Sequence, residues 1–247
     1  MKICIAQTKP VAGDVDKNID NLKKFAALAA SHGADMIIFP ELSLTGYEPT
    51  FAHQLATHKE DKRFQGLQDI CDSDKITIGA GMPLKAEEGV MIGMIIFQPH
   101  QPRQTYFKQH IHPDEEPYFV SGMYQPVLTE NKIGMAICYE ISVPEHAEQA
   151  FKDGAKIYIA SVAKTVAGVE KAIETLSDTA KKYSMTVLMS NCIGLNDGDE
   201  CGGRTSAWNN NGVLLGQLND RDEGFIIFDT LTEEIIKKQK EDFLIKL

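Results

Sequence analysis

Cysteine is scarce in this chain: the five, at 4, 71, 138, 192 and 201, are scattered, odd in number and show no CxxC or CxxxH pairing. That pattern argues against a disulfide framework and against a structural zinc site. Basic charge is also short, with 25 Lys and Arg against 35 Asp and Glu and a formal charge of −10. A phosphate backbone or an anionic membrane surface is a poor partner for such a chain, whereas small neutral substrates remain compatible. Long apolar runs are missing too, since the longest, VMIGMIIF at 90–97, falls far below the ~20 residues of a membrane span. The opening MKICIAQTKPVAGD lacks the apolar core and cleavage site of a signal peptide. The expected location is therefore the cytoplasm, with no nucleic-acid and no membrane partner. No Pro/Gly/Ser-rich linker, low-complexity tract, block of like charge or internal repeat interrupts the 247 residues, so one domain over 1–247 is expected.

What is present is an alternation of short apolar strands with amphipathic helices. KICIAQ (2–7) alternates like a strand, and 16–32 place Ile19, Leu22, Phe25, Ala26, Leu28 and Ala29 on one helical face before Gly33. DMIIFPE reads as a short buried strand. A polar helix near 60–72 and strands at 75–82, 90–98, 104–108 and 132–138 follow, then a helix at 144–153. KIYIAS (156–161) and 185–191 read as strands around a helix at 167–183. Beyond Gly202, RTSAW and VLLGQL flank Asn209-Asn210-Asn211-Gly212, a hairpin turn signal, and GFIIFDT is one more strand. This grammar predicts layered α/β with mixed pairing, and so many strands make two sheets plausible.

Three chemically capable residues close apolar strands: Glu41 after DMIIFP, Lys108 after QTYF and Cys138 after KIGMAI. Strand ends are where α/β sheets gather functional groups. A charged residue there is usually a solvated cap, and a free cysteine is usually buried and inert, but as a set the three form a working nucleophilic unit. Glu41 can take the thiol proton and later activate water. Lys108 can stabilise charge developing on a carbonyl oxygen or an imidate nitrogen. Pro144 followed by EHAEQAF looks like a helix start close behind the thiol, where it would favour the thiolate.

PELSLTGY (40–47), YFKQHIHPDEEPYFVSG (106–122) and GMAICYEISVPE (134–145) resemble, in order, the glutamate, lysine and cysteine motifs of the nitrilase superfamily, the carbon-nitrogen hydrolases. The opening MKICIAQTKPVAGDVDKNIDN and the late GGRTSAWNNNGVLL also look like that family, so the resemblance spans nearly the whole chain. It implies a four-layer αββα sandwich of two mixed β-sheets flanked by helices, pairing as a homodimer. It further implies Glu41 as general base, Lys108 as oxyanion support and Cys138 as nucleophile. A second glutamate falls on Glu115 or Glu116, with Glu115 preferred because Glu115-Glu116-Pro117-Tyr118-Phe119 and Gly122 suit the usual spacing. The backbone N–H of Tyr139 would complete the oxyanion hole, and Tyr47 would lie near the pocket mouth.

The chain also departs from its relatives. Glu140 and Ser142 stand where many amidase-type members carry aspartate and arginine, and Tyr139 stands where nitrile-hydrolysing members often carry tryptophan. The first leaves the polarity of the pocket open, and the second tilts against nitriles. His110-x-His112-x-Asp114 could be read as metal ligands, but one cluster without a partner motif reads better as loop or rim. The implied activity is thiol-dependent hydrolysis of a small amide through a thioester, with no metal or organic cofactor required. The resemblance alone suggests ω-amides of dicarboxylic acids as substrates, and no lysine or arginine is assigned to hold the carboxylate. Nitrile hydrolysis and acyl transfer are variants of the same chemistry, and a catalytically silent scaffold for a metabolite or partner is the alternative of another class.

Overall fold

The computed structural model describes residues 1–125 and 132–239. Its strands, in chain order, begin with β1 (Lys2–Gln7), β2 (Met36–Ile38), β3 (Thr77–Ala86), β4 (Gly89–Phe97) and β5 (Gln104–Phe107). Next come β6 (Ile133–Ile137), β7 (Ile157–Val162), β8 (Thr186–Asn191), β9 (Ile193–Asn196) and β10 (Asp199–Gly202). The last are β11 (Ser206–Trp208), β12 (Leu214–Gln217), β13 (Gly224–Asp229) and β14 (Ile235–Gln239). The helices are α1 (Val15–Ser31), α2 (Ala52–Leu55), α3 (Gln65–Asp74), α4 (Pro144–Lys152) and α5 (Val166–Tyr183). Most expected elements stand within a residue or two of their places. Helix α2, the β9–β10 hairpin and β14 were not expected, since a segment such as DECG or IIKKQ shows little apolar periodicity.

Seven strands form one mixed sheet in the order β14-β13-β1-β2-β3-β4-β5, and five form the other, β12-β11-β8-β7-β6. The parallel trio β1-β2-β3 has antiparallel neighbours on both sides, β13 and β4, whereas β6-β7-β8 has its antiparallel neighbour, β11, on the β8 side. Side chains alternate across each strand, which sorts the apolar residues into separate layers. Ile3 and Ile5 of β1 and Ile157 and Ile159 of β7 meet between the two sheets. Cys4 and Ala6 face the other way, toward Leu22, Phe25 and Ala26 of α1. Tyr158, Ala160 and Val162 likewise face Val169, Ala172 and Leu176 of α5. The result is four layers, helix–sheet–sheet–helix, and burial on both faces is why the central strands read as continuous apolar runs.

Caps fix where the two long helices begin: Asp14 accepts from Lys17 N at 3.1 Å, and Thr165 accepts from Gly168 N at 3.2 Å. Two buried serines then lock the sheets in register. Ser161 Oγ of β7 donates to Phe39 O just past β2 (2.8 Å), and Ser190 Oγ of β8 donates to Ala6 O of β1 (2.6 Å). The carboxyl ends of the two parallel trios are thereby held against each other.

Ile159 is fully buried between the sheets. Its replacement by alanine should lower the unfolding free energy by about 2–5 kcal/mol in urea titrations. Leu231, which is 85% exposed, should tolerate alanine within about 0.5 kcal/mol.

Candidate active site

Glu41, Lys108 and Cys138 converge where the sheets meet. Glu41 follows β2 through Phe39-Pro40, Lys108 follows β5 directly, and Cys138 follows β6. Space for the Glu41 turn comes from Gly81 in β3, where a Cβ would fall 2.3 Å from Leu42 N and 3.0 Å from the Glu41 carbonyl carbon. Lys108 is anchored on both sides of its backbone, donating from N to Ile92 O (2.9 Å) and accepting at O from Gly122 N (2.7 Å).

Lys108 is fully buried, and its ammonium donates to Glu41 Oε1 at 2.8 Å and to Glu115 Oε1 at 2.7 Å. Burial alone would lower the lysine pKa, but the charges of Glu41, Cys138 and Glu115, with the hydrogen bond to Glu115, outweigh it and hold Lys108 above the ordinary lysine range. Glu41 is pushed the other way from its usual acidity: burial raises its pKa most, Lys108 opposes, and Glu115 adds to the rise. Glu115 is fixed at its other edge, since Oε2 accepts from His112 N (2.7 Å) while Tyr47 Oη donates to Oε1 (2.8 Å). Of the two candidate second glutamates, Glu115 therefore joins the lysine, and Glu116 lies exposed. Tyr47 is drawn into the cluster itself through that hydroxyl.

Cys138 opens a 3-10 turn, Cys138–Ser142, with φ at +44°, a backbone conformation costing about 1–3 kcal/mol in a residue with a side chain. Cys138 as a residue is half-buried, and its thiol interacts with the Glu41 carboxylate. The Oε2 atom of Glu41 is buried with no hydrogen-bond partner among the described residues, so it is available to a proton. Burial first and the Glu41 charge second push the thiol pKa up to about 11, while Lys164 and Lys108 oppose them. The thiolate-favouring helix start expected at Pro144 does not prevail: α4 begins only after the whole Cys138–Ser142 turn. The resting thiol is thus protonated near neutral pH, and a base must take its proton.

A further carboxylate holds this arrangement together. Glu140 is fully buried and accepts from Ile137 N (2.7 Å), Gln109 N (2.6 Å) and Tyr106 Oη (2.8 Å). Ile137 precedes Cys138 and Gln109 follows Lys108, so one side chain ties the nucleophile strand to the lysine strand. The network continues from Tyr106 to His146 Nε2 (2.9 Å) and from His146 Nδ1 to Tyr158 Oη (2.8 Å). Because Tyr106 donates its one proton to Glu140, it accepts from His146 Nε2–H, which leaves Nδ1 to accept from Tyr158. Only the position of Glu140, two residues after Cys138, hinted at this in the sequence; its partners are far along the chain.

Tyr139 places its ring edge-on to His112, with centroids 5.0 Å apart. His112 Nδ1 accepts from Asp114 N (3.3 Å), and His110 meets His146 edge to face, with centroids 5.9 Å apart. Among the described residues no group of three or more His, Cys, Asp or Glu is arranged to hold a metal ion.

Glu140 and His146 respond to pH with opposite sign. Burial raises Glu140 to about 7, so its contribution to stability is complete below about pH 4.5 and fades as pH rises through 7. Burial, and then His110, lower His146 to about 4, so its contribution is complete above about pH 6.5 and fades as pH falls toward 4. The two offset each other in the wild type. His146→Gln keeps only the Glu140 response, so its stability relative to wild type should rise as pH falls from 7 to 5, read by urea unfolding at both values.

The chain is similar to the hydrolase in the agr operon of Staphylococcus aureus, 23% identical over 250 residues that cover 98% of this chain and 95% of that protein. It also resembles the glutamine-dependent NAD(+) synthetase of Acinetobacter baylyi, 27% identical over 216 residues, but there it spans only 38% of the relative's length. Among solved structures, a cysteine-to-serine variant of the Nesterenkonia AN1 amidase from the nitrilase superfamily superposes with a TM-score of 0.84 at 24% identity, covering 94% of this chain and 92% of that one. A cysteine-to-alanine variant of the same amidase, in complex with butyramide, gives 0.82 at 24% identity over 99% and 92%. These structures share the four-layer fold. The profile of the carbon-nitrogen hydrolases matches residues 2–237, and the chain belongs to that family.

Proposed function

We propose that the protein hydrolyses a small amide through a Cys138 thioester. The observation that carries this reading is the buried Glu41–Lys108–Glu115 cluster beside the thiol of Cys138, which sits on a strained turn. Glu41 takes the Cys138 proton as sulfur attacks the amide carbon. Lys108 and the Tyr139 N–H hold the resulting oxyanion. The returned proton lets ammonia or an amine leave, and water activated by Glu41 then frees the acid and restores the thiol. Glu115, braced by Tyr47, keeps the lysine charged and aimed.

The protonated resting thiol supports this order, because attack must be coupled to proton transfer rather than follow it. Butyramide in the related amidase makes short aliphatic amides the natural first probes. We place the enzyme in the cytoplasm as a homodimer without nucleic-acid or membrane partners. The net charge of −10 supports that, and among the described residues no helix is long and apolar enough to cross a membrane. Closed dimers are also the commonest soluble oligomers.

Ammonia release should be measured from short primary amides, ω-amidic acids, carbamoyl compounds and nitriles. Wild type should release ammonia from at least one amide, and Cys138→Ala should release none; equal activity of the two proteins would sink the mechanism. Lys108→Met should lower kcat/KM by ~10²–10³, the loss expected for one oxyanion-stabilising donor.

A further inference from the structure

Four of the five cysteines lie outside the cluster just described, and two of those four meet. Cys192 stands between β8 and β9, Cys201 lies in β10, and Gly203 N donates to Cys192 O at 3.0 Å, which folds the segments onto each other. The two Sγ atoms are 2.9 Å apart as free thiols, and both residues are buried. Asn196 Nδ2 reaches both sulfurs, at 3.2 Å from Cys201 and 3.6 Å from Cys192. A covalent S–S bond is about 2.05 Å long, so under about 1 Å of further approach separates contact from a bond.

The surroundings also make the pair unequal. The Cys192 S–H donates to Cys201, and that bond, with the Asn196 amide, holds the Cys201 thiol below its usual pKa against the opposing effect of burial. The same bond and burial push Cys192 well above its usual value. Burial pushes Cys4 far up and Cys71 up to about 12. Cys201 is therefore the thiol best disposed to react as thiolate, with a second sulfur in place to resolve the product. The β9–β10 hairpin above the pair forms its own two-stranded sheet, and its tip, residues 197–200, is exposed. Opening this small hairpin gives a small oxidant access without disturbing either large sheet.

We propose that Cys192 and Cys201 form a reversible dithiol–disulfide site, oxidised by hydrogen peroxide. The Cys201 thiolate attacks a peroxide oxygen; the O–O bond breaks, and with one proton Cys201 becomes a sulfenic acid as water departs. The Cys192 sulfur then attacks the Cys201 sulfur, and the S–O bond breaks. The leaving hydroxide takes the Cys192 proton as a second water. Two thiols lose two electrons in all, and the peroxide gains them. The bond forms one side chain from Tyr47, whose N–H donates to Asn196 Oδ1 at 2.9 Å.

The test uses the full-length Cys138→Ala protein, so that the nucleophile itself cannot be oxidised. After hydrogen peroxide, alkylation in denaturant and mass spectrometry, titratable thiols should fall from four to two. Before alkylation the intact mass should drop by about 2 Da, after digestion one linked peptide pair should carry Cys192 and Cys201, and dithiothreitol should reverse the change. Four surviving thiols, a link through Cys4 or Cys71, or oxygen adducts without a link would overturn the proposal. In a Cys138→Ala, Cys192→Ser protein shown to be folded by circular dichroism, a dimedone adduct should accumulate on Cys201. Labelling of Cys201 no faster than of Cys71 would count against it as the attacking sulfur.

Discussion

Fully buried, the ammonium of Lys108 depends on Glu41 and Glu115 for compensation, and breaking such a buried pair typically costs about 3–5 kcal/mol. Each carboxylate is in turn held by a separate part of the chain. Glu41 sits on a turn that closes over the missing side chain of Gly81, and Glu115 is pinned by the Tyr47 hydroxyl and the His112 amide. Burial first and the Glu41 charge second oppose a standing thiolate at Cys138, so in the proposed mechanism the sulfur becomes nucleophilic only as its proton moves to Glu41.

A second buried carboxylate does the architectural counterpart. Glu140 accepts from backbone amides next to both Cys138 and Lys108, so the two strand ends cannot separate without orphaning buried N–H groups. Tyr106, His146 and Tyr158 extend that tie through the sheet to α4 and β7. The charged cluster can therefore remain close to solvent access at the thiol while its far side is rigid. Low-dielectric surroundings strengthen every bond in such a network, provided that none is left unmade.

Glu41, Lys108 and Cys138 were legible in the sequence because each ends an apolar run, where a charged or nucleophilic residue stands out, whereas Glu115 came only from the family resemblance. The two-sheet core was legible for the same reason, since strands buried on both faces are written as continuous apolar segments. Glu140 was visible only as a departure from a familiar pattern, because its partners come from positions 106, 109 and 137. Gly81 carried no signal at all: its need arises from close approach of a turn distant in the chain. The helix starts at Pro144, where the sequence placed it, yet burial and the Glu41 charge push the Cys138 thiol up to about 11 rather than favouring a thiolate, and both causes come from positions distant in the chain. Cys192 and Cys201, nine positions apart without a motif, meet only once the β9–β10 hairpin forms.

The serine bonds from β7 and β8 to the backbone near β2 and β1 have a bearing on how the molecule can be influenced from outside. Glu41 and Lys108 follow strands of one sheet and Cys138 a strand of the other, so the atoms proposed to react lie across a seam rather than within a single sheet. A misplacement of about 1 Å between reacting groups can cost ~10² in rate. The two hydroxyls act as dowels across that seam, and any load that shears one sheet against the other is read directly by the chemistry, without a ligand ever entering the pocket.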